Sequence, residues 1–220
     1  MNLGKIMNEV FENDMKFASI FRFYNKYKIL ILSSIALTVL VLVATLTTSQ
    51  ISKINHEKAA SIYSNWLAQD RTAEEGQIRA EELFNELISS YQKTGYAQIA
   101  LLNKASSDAK AGNTSEALEK FTMLVNISDG FSGNKLFNKL ARISSARLLS
   151  SNKEYDKALE MLEKYSSSST NAYIHELIGD ILLKKEQSSL AREQYLLAKD
   201  KYTDEASKSI ISMKIASIKS

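Results

Sequence analysis

The sequence contains no cysteine and no proline, and only seven of its 220 residues are glycine. Without cysteine this chain can form no disulfide bond, no thiolate zinc site and no thiol nucleophile, a composition that suits the cytosol as well as an oxidising compartment. Because proline breaks helices and glycine weakens them, their scarcity favours an all-α fold.

A strong excess of charge is also lacking, since the formal net charge is +3. Residues 1–28 hold five basic and three acidic side chains, so the remainder of the chain is close to neutral. Because the rest of the chain has no basic stripe, we expect no nucleic-acid partner. With only two histidines, His56 and His175, and no phosphate-binding glycine loop, we expect no metal, no cofactor and no small-molecule substrate.

One long apolar run stands out, between Ile29 and Thr47, and the uncharged tract continues to Gln50. At about 1.5 Å per helical residue, such a run approaches the ~30 Å thickness of a bilayer's hydrocarbon core. It therefore predicts a membrane span in contact with lipid. A cleaved signal peptide fits less well, because the run exceeds the usual length of about 7 to 15 residues and no Ala-x-Ala site follows Ala44.

An aromatic and basic patch precedes the span and consists of Phe21, Arg22, Phe23, Tyr24, Lys26, Tyr27 and Lys28. Aromatic rings favour the membrane interface, and basic residues beside a first span are retained in the cytoplasm. The pattern predicts a cytoplasmic tail over residues 1–28, a signal anchor over 29–50, and one helical domain over 51–220 across the membrane.

Beyond Ile51 the apolar residues recur at i, i+3, i+4 and i+7, which predicts helices with short connections and antiparallel neighbours. The sequence leaves open whether the first of them continues from the span. Apolar residues between Ala59 and Leu67 mark the first helix, and those between Ala80 and Tyr91 mark the second. The later helices are predicted at about residues 97–111, 115–126, 134–150, 154–165, 171–185, 188–201 and 204–217.

Three of the helix pairs align with one another. Each second helix opens on a small residue, each first helix carries a small residue twelve positions earlier, and a large residue follows one turn after the opening residue. The unit separations are 41 and 33 residues, and the loop at residues 128–133 accounts for the longer one. The predicted packing positions are Ala105, Ala117 and Phe121; Ala146, Ala158 and Leu162; and Gly179, Ala191 and Tyr195.

The last helix is predicted to cap the stack. We expect Ala206, Ile210 and Met213 to form its packed stripe, with Ile211, Ile215 and Ile218 adjoining it. The residues expected to face outward are Ser207, Lys208, Ser212, Lys214 and Lys219.

These units resemble tetratricopeptide repeats, on residues 111–117 (AGNTSEA), 153–159 (KEYDKAL), and 178–182 (IGDIL) with 191–195 (AREQY). With its single N-terminal span, the whole chain resembles the YfgM-like family of bacterial inner-membrane proteins. It departs from the repeat pattern in lacking the closing proline and in placing Lys104 and Asp108 where apolar residues are usual. The resemblance implies an α-solenoid in the periplasm, which binds proteins as an ancillary subunit near the Sec translocon.

Stacked helix pairs form a curved surface whose first helices line the concave side, a shape suited to a partner helix or peptide. The predicted groove residues are Ile99, Leu102, Ser106, Leu140, Ile143, Arg147, Tyr173, Glu176, Asp180 and Lys184.

Short matches to catalytic motifs carry little weight. Ser107–Lys110 and Ser132–Lys135 fit S-x-x-K and Lys93–Gly95 fits K-T-G, but the order and helical context are wrong for a penicillin-binding site. His175 occupies a repeat core position, which favours a packed histidine over a metal ligand. Trp66 is interpreted as packing against Leu83 and Phe84 rather than as an exposed anchor.

We therefore predict a non-enzymatic, membrane-tethered interaction scaffold. The resemblance implies that its partners are the translocon, envelope chaperones or client chains. The alternative is a structural or regulatory envelope factor for assembly, division or stress signalling. An enzyme would require an acid/base pair brought together from separate helices.

Overall fold

A computed structural model describes the backbone of residues 3–130, 133–166 and 171–218, and the side chains from Phe23 onward within those ranges. Phe21 and Arg22 of the aromatic patch, Ser132 of one S-x-x-K match, Phe131 of the predicted loop and Lys219 therefore lie outside the described side chains. Nine α-helices and no strand occur in the described part of the chain. They are α1 (Leu3–Leu67), α2 (Glu74–Ser90), α3 (Gly95–Lys110), α4 (Thr114–Ile127), α5 (Lys135–Ser151), α6 (Tyr155–Ser166), α7 (Ala172–Lys184), α8 (Ser188–Lys201) and α9 (Glu205–Ser217).

The chain divides into two compact units, Met1–Asn55 and His56–Ser220. Helix α1 contributes to both, because it continues without a break through the apolar run to Leu67. In the first unit, the most apolar 18 residues of this helix have a mean hydropathy of 2.8 and none of them is buried. The part of α1 over Phe23–Leu67 is thus long and apolar enough to cross a membrane.

Most hydroxyl groups of this apolar segment bond to the helix itself. Thr38 donates to the carbonyl of Ser34 at 2.9 Å, and Thr47 donates to the carbonyl of Val43 at 2.8 Å. Ser33 and Thr45 bond in the same way to carbonyls three residues back. Such internal bonds remove the cost of placing a hydroxyl in hydrocarbon, so the polar residues of the run do not conflict with a membrane span.

The compact unit His56–Ser220 contains three antiparallel helix pairs: α3 with α4, α5 with α6, and α7 with α8. Each pair is one repeat unit. The last turns of α1, from His56, and helix α2 pack at one end against α3, and α9 packs against α8 at the other. Asparagine or threonine caps several first helices; Thr94 accepts from the amide of Ala97, and Asn134 accepts from the amides of Leu136 and Phe137. Since these side chains satisfy otherwise unpaired amides, they set where each pair begins.

The turns inside the three pairs share one geometry. Gly112, Lys153 and Glu186, each five residues before the aligned alanine, have φ angles of 85°, 66° and 63°. In each turn the amide of the next residue donates to the carbonyl five residues earlier, as Asn113 does to Asp108 at 2.9 Å. The same bond is 2.8 Å from Glu154 to Leu149 and 2.9 Å from Gln187 to Leu182. This is the Schellman arrangement, repeated three times.

The nine predicted packing positions are all buried in the described structure. Gly179 is the tightest of them, because a Cβ atom added there would lie 2.6 Å from the ring of Tyr195 on α8. The apolar side chains form two clusters, one from the end of α1 to Ala141 on α5 and one from Ala146 to Ile211 on α9. The close helix approaches therefore recur through the stack.

The prediction for the last helix is wrong about which face packs. Ile211 is fully buried and Ile215 and Ile218 are half-buried, whereas Ile210 and Met213 are 48% and 62% exposed and Ala206 is also exposed. Of the residues expected to face outward, Ser207, Lys208, Ser212 and Lys214 are half-buried. Helix α9 packs on a different face from the predicted one because Lys214 forms ion pairs with two carboxylates on α7.

Candidate protein-binding surface

The predicted groove residues lie on α3, α5 and α7, the first helices of the three pairs, and none of them is fully buried. Three are exposed, namely Leu140, Arg147 and Lys184. The half-buried ones are Ile99, Leu102, Ser106, Ile143, Tyr173, Glu176 and Asp180. Partial exposure leaves these side chains within reach of a partner while their stems are held by the helices.

A pocket of about 410 Å³ brings four of the predicted residues together, from two different repeat units. Arg147 on α5 faces it together with Tyr173, Asp180 and Lys184 on α7. The remaining lining residues are Ser150, Leu177, Leu183 and Tyr195. The site thus has an apolar and aromatic lining with charged groups, a combination typical of surfaces that bind protein side chains.

Helix α5 carries a longer apolar strip that leads to this pocket. Leu136, Leu140, Ile143 and Arg147 follow one another at i, i+4, i+7 and i+11, so they share one face of the helix. Leu136 is 63% exposed and Leu140 is 38% exposed. Leu136 is not among the residues predicted from the sequence, although its spacing from Leu140 is the signal that could have identified it.

The two predicted acidic groove residues have internal partners. Lys214 Nζ of α9 lies 2.7 Å from Glu176 Oε1 and 2.7 Å from Asp180 Oδ1. The Tyr195 hydroxyl donates to Asp180 at 2.7 Å, and the Tyr202 hydroxyl donates to Glu176. Both carboxylates of α7 are therefore already bonded within the domain.

The protonation states of this network suit its bonds. Burial, followed by the hydrogen bond to Asp180, raises the pKa of the Tyr195 hydroxyl, so Tyr195 remains a donor. Burial alone would lower the pKa of Lys214, but the hydrogen bonds to Asp180 and Glu176 outweigh it and raise that pKa above its ordinary value. The ammonium thus stays charged opposite the two acids.

The first repeat unit places charge between its helices instead. Asp108, one of the two polar departures from the repeat pattern, is buried, and it lies 2.9 Å from Lys120 on α4. Lys104, the other departure, lies 3.5 Å from Glu81 on α2. These ion pairs link α2, α3 and α4, which explains why polar residues stand where apolar ones are usual.

A larger pocket of about 690 Å³ lies between the end of α1, α2 and α3, and none of the predicted groove residues lines it. Trp66 stands at its edge but is only 5% exposed, with its ring centroid 6.1 Å from that of Phe84. The guanidinium of Arg71 covers the indole at 4.7 Å. The interpretation of Trp66 as a packing residue is confirmed.

The matches to catalytic motifs have structural roles in the described helices. Thr94 of Lys93–Gly95 caps α3, and Ser107 and Lys110 lie in that helix. His175 is buried, and its Nδ1 lies 2.9 Å from Oε1 of Gln194, so it joins α7 to α8. Among the residues with described side chains, no three His, Asp or Glu groups are placed to hold a metal ion.

A family model described as a tetratricopeptide repeat-like domain matches residues 22–220. The chain belongs to this family. No curated protein matches the sequence. Repeat-like domains of this kind are typically non-enzymatic modules that bind other proteins, and the partly exposed face of α3, α5 and α7 is a surface suited to that role.

Proposed function

We propose that the protein is a membrane-tethered scaffold that holds other proteins in the groove formed by α3, α5 and α7. The observation that carries the proposal is the pocket shared by Arg147 and Tyr173, because two consecutive repeat units contribute to it as a binding groove requires. Tethering raises the local concentration of the domain at the membrane, so a weak groove affinity suffices.

Residues 29–50 serve as the anchor in this proposal, with residues 1–28 in the cytoplasm and the repeat domain of residues 51–220 in the periplasm. The flank of the span supports this orientation. Phe23, Tyr24, Lys26, Tyr27 and Lys28 are all exposed on α1, and the Lys26 ammonium lies 5.2 Å from the centre of the Tyr27 ring. Such a combination favours the cytoplasmic interface of a bilayer.

The partners that we propose are the Sec translocon, periplasmic chaperones, and secreted or membrane proteins in transit. The resemblance to YfgM-like inner-membrane proteins supports this choice, together with the repeat-like domain and the apolar helix on the same chain. The packing positions named above would act only by holding the helix pairs in place.

Site-specific photocrosslinking in cells tests the groove. A photoreactive amino acid at Ile143 or Tyr173 should trap translocon or chaperone partners, whereas the same residue at Leu196, which is exposed on α8, should trap far less. If the groove positions give no more crosslinks than Leu196, the groove assignment is wrong.

Topology and the role of the tail are tested separately. A reporter fused after Ser220 should be active in the periplasm, and activity in the cytoplasm would contradict the proposal. Replacing residues 2–20 by an unrelated sequence that preserves insertion should leave a scaffold functional. Loss of function would favour the alternative of a regulatory factor that signals through its tail.

A further inference from the structure

The strip of Leu136, Leu140 and Ile143 on α5 ends at a pair of cations, Arg147 and Lys184. We refer to the three apolar residues as the α5 strip and to the two cations as the basic end. Arg147 lines the pocket from α5 and Lys184 lines it from α7. From Leu136 to Arg147 the helix advances by eleven residues, which is about 16 Å.

The basic end has no carboxylate of its own. Among the residues with described side chains, Arg147 forms neither a hydrogen bond nor an ion pair through its side chain, and it is exposed. Lys184 donates to the hydroxyl of Ser150 at 3.3 Å, and none of the described ion pairs includes it. The pocket therefore offers two cations for an anion from outside.

Asp180 does not balance this charge. It is the one carboxylate among the described residues that line the pocket, and it is held by Lys214 and by the hydroxyl of Tyr195. Lys214 is shared between Asp180 and Glu176, so these three groups together carry a charge of −1, against +2 on Arg147 and Lys184. The basic end consequently stays positive, and a basic ligand would be repelled there.

We propose that the groove binds a protein segment about 16 Å long that has an apolar face and acidic side chains at one end. This inference rests on the proposed function and specifies the partner of that same groove. The apolar face would cover the α5 strip, and the terminal Asp or Glu side chains would bind Arg147 and Lys184. Arginine binds a carboxylate through two parallel hydrogen bonds, and both cations are exposed, so a partner can reach them. A helix of three turns or an extended segment of about five residues has the required length.

The test measures peptide affinity by fluorescence anisotropy, with the full chain in phosphatidylcholine nanodiscs and empty nanodiscs as the blank. Three labelled 16-residue peptides share one apolar face and end in two Glu, two Gln or two Lys residues. We expect the Glu peptide to bind about tenfold more tightly than the Gln peptide, and the Lys peptide to bind more weakly still.

Variants assign the preference to the basic end. The Arg147→Gln, Lys184→Gln double variant should bind the Glu and Gln peptides equally. Arg192→Gln is the matched control, since Arg192 is an exposed cation on α8, and it should keep the tenfold preference. Leu140→Ser should weaken both peptides by a similar factor, because it removes apolar contact and leaves the cations. Circular dichroism confirms that each variant is folded.

Equal affinity of the wild type for the Glu and Gln peptides would overturn the inference. So would a preference that survives in the double variant. Neither result would affect the proposed scaffold function if Ile143 and Tyr173 still crosslink partners in cells, so the two failures are distinguishable.

Discussion

At equivalent positions the second repeat unit carries Leu140, Ile143 and Arg147, and the third carries Tyr173, Glu176 and Asp180. The residues of the second unit are left without polar partners among the described side chains, whereas Glu176 and Asp180 are bonded to Lys214 and two tyrosines. The difference arises because Lys214 of α9 forms ion pairs with Glu176 and Asp180 of α7. Glu176 and Asp180 are thus less available to a partner than Arg147, because α9 already bonds to them.

The largest expected effect concerns packing in the third unit. Gly179→Val should lower the free energy of unfolding by about 3 kcal/mol, because its side chain would overlap the Tyr195 ring, which already lies 2.6 Å from a Cβ atom at that position. Urea denaturation of the full chain measures the change. Gly95→Val is the control, since nothing lies within 4 Å of a Cβ atom there. Equal losses in the two variants would show that the close approach of α7 and α8 is not what limits residue size.

Replacing Lys214 tests whether its ion pairs with Glu176 and Asp180 stabilise the third repeat unit. Lys214→Met should cost roughly 1 to 2 kcal/mol of unfolding free energy, because two partly buried carboxylates lose a shared charged partner. Arg147→Met should change stability by less than about 0.5 kcal/mol, since Arg147 has no polar partner among the described side chains. If both substitutions change thermal stability equally, the second and third repeat units do not differ in how strongly their polar groove residues are bonded within the domain.

Alkaline pH should also remove the stabilisation that Lys214 provides, because its ammonium loses its proton. The pKa of Lys214 is raised in the folded protein, so its stabilising effect is present below the ordinary value of 10.5 and is lost as the pH rises beyond it. The raised pKa of Tyr195, ordinarily 10.0, acts in the same direction. The difference in melting temperature between the wild type and Lys214→Met should therefore be largest near neutral pH and shrink above about pH 10. A difference that grows in alkali would contradict this account.

The smallest effects concern the turns that the units share. Lys153→Gly and Glu186→Gly should each stabilise the protein by about 0.5 kcal/mol, because φ angles of 66° and 63° strain a residue with a side chain. Gly112→Ala should destabilise it by about 1 kcal/mol for the same reason. Thermal melts of the three variants check the signs, and destabilisation by both glycine substitutions would show that the turns are not equivalent.

Much of the architecture was predictable from residue spacing. The helices from α3 to α9 begin and end within about two residues of the predicted bounds, because their apolar periods are regular and their turns are polar. The polar departure at Asp108 was recognised, but its partner Lys120 on another helix could not be identified from spacing. Leu136 was missed although it lies four residues before Leu140, since the equivalent residues of the other two units, Gly95 and Ser169, are not apolar.

The sequence by itself determined the all-α class, the apolar run and the recurring small residues, since each follows from local propensity or from a pattern along one helix. Only the tertiary structure decided which face of α9 packs, because the helix has two apolar stripes of similar quality. The choice depends on Lys214 reaching Glu176 and Asp180, which lie 38 and 34 residues away in the chain. That contact also decides which groove residues remain open to a partner.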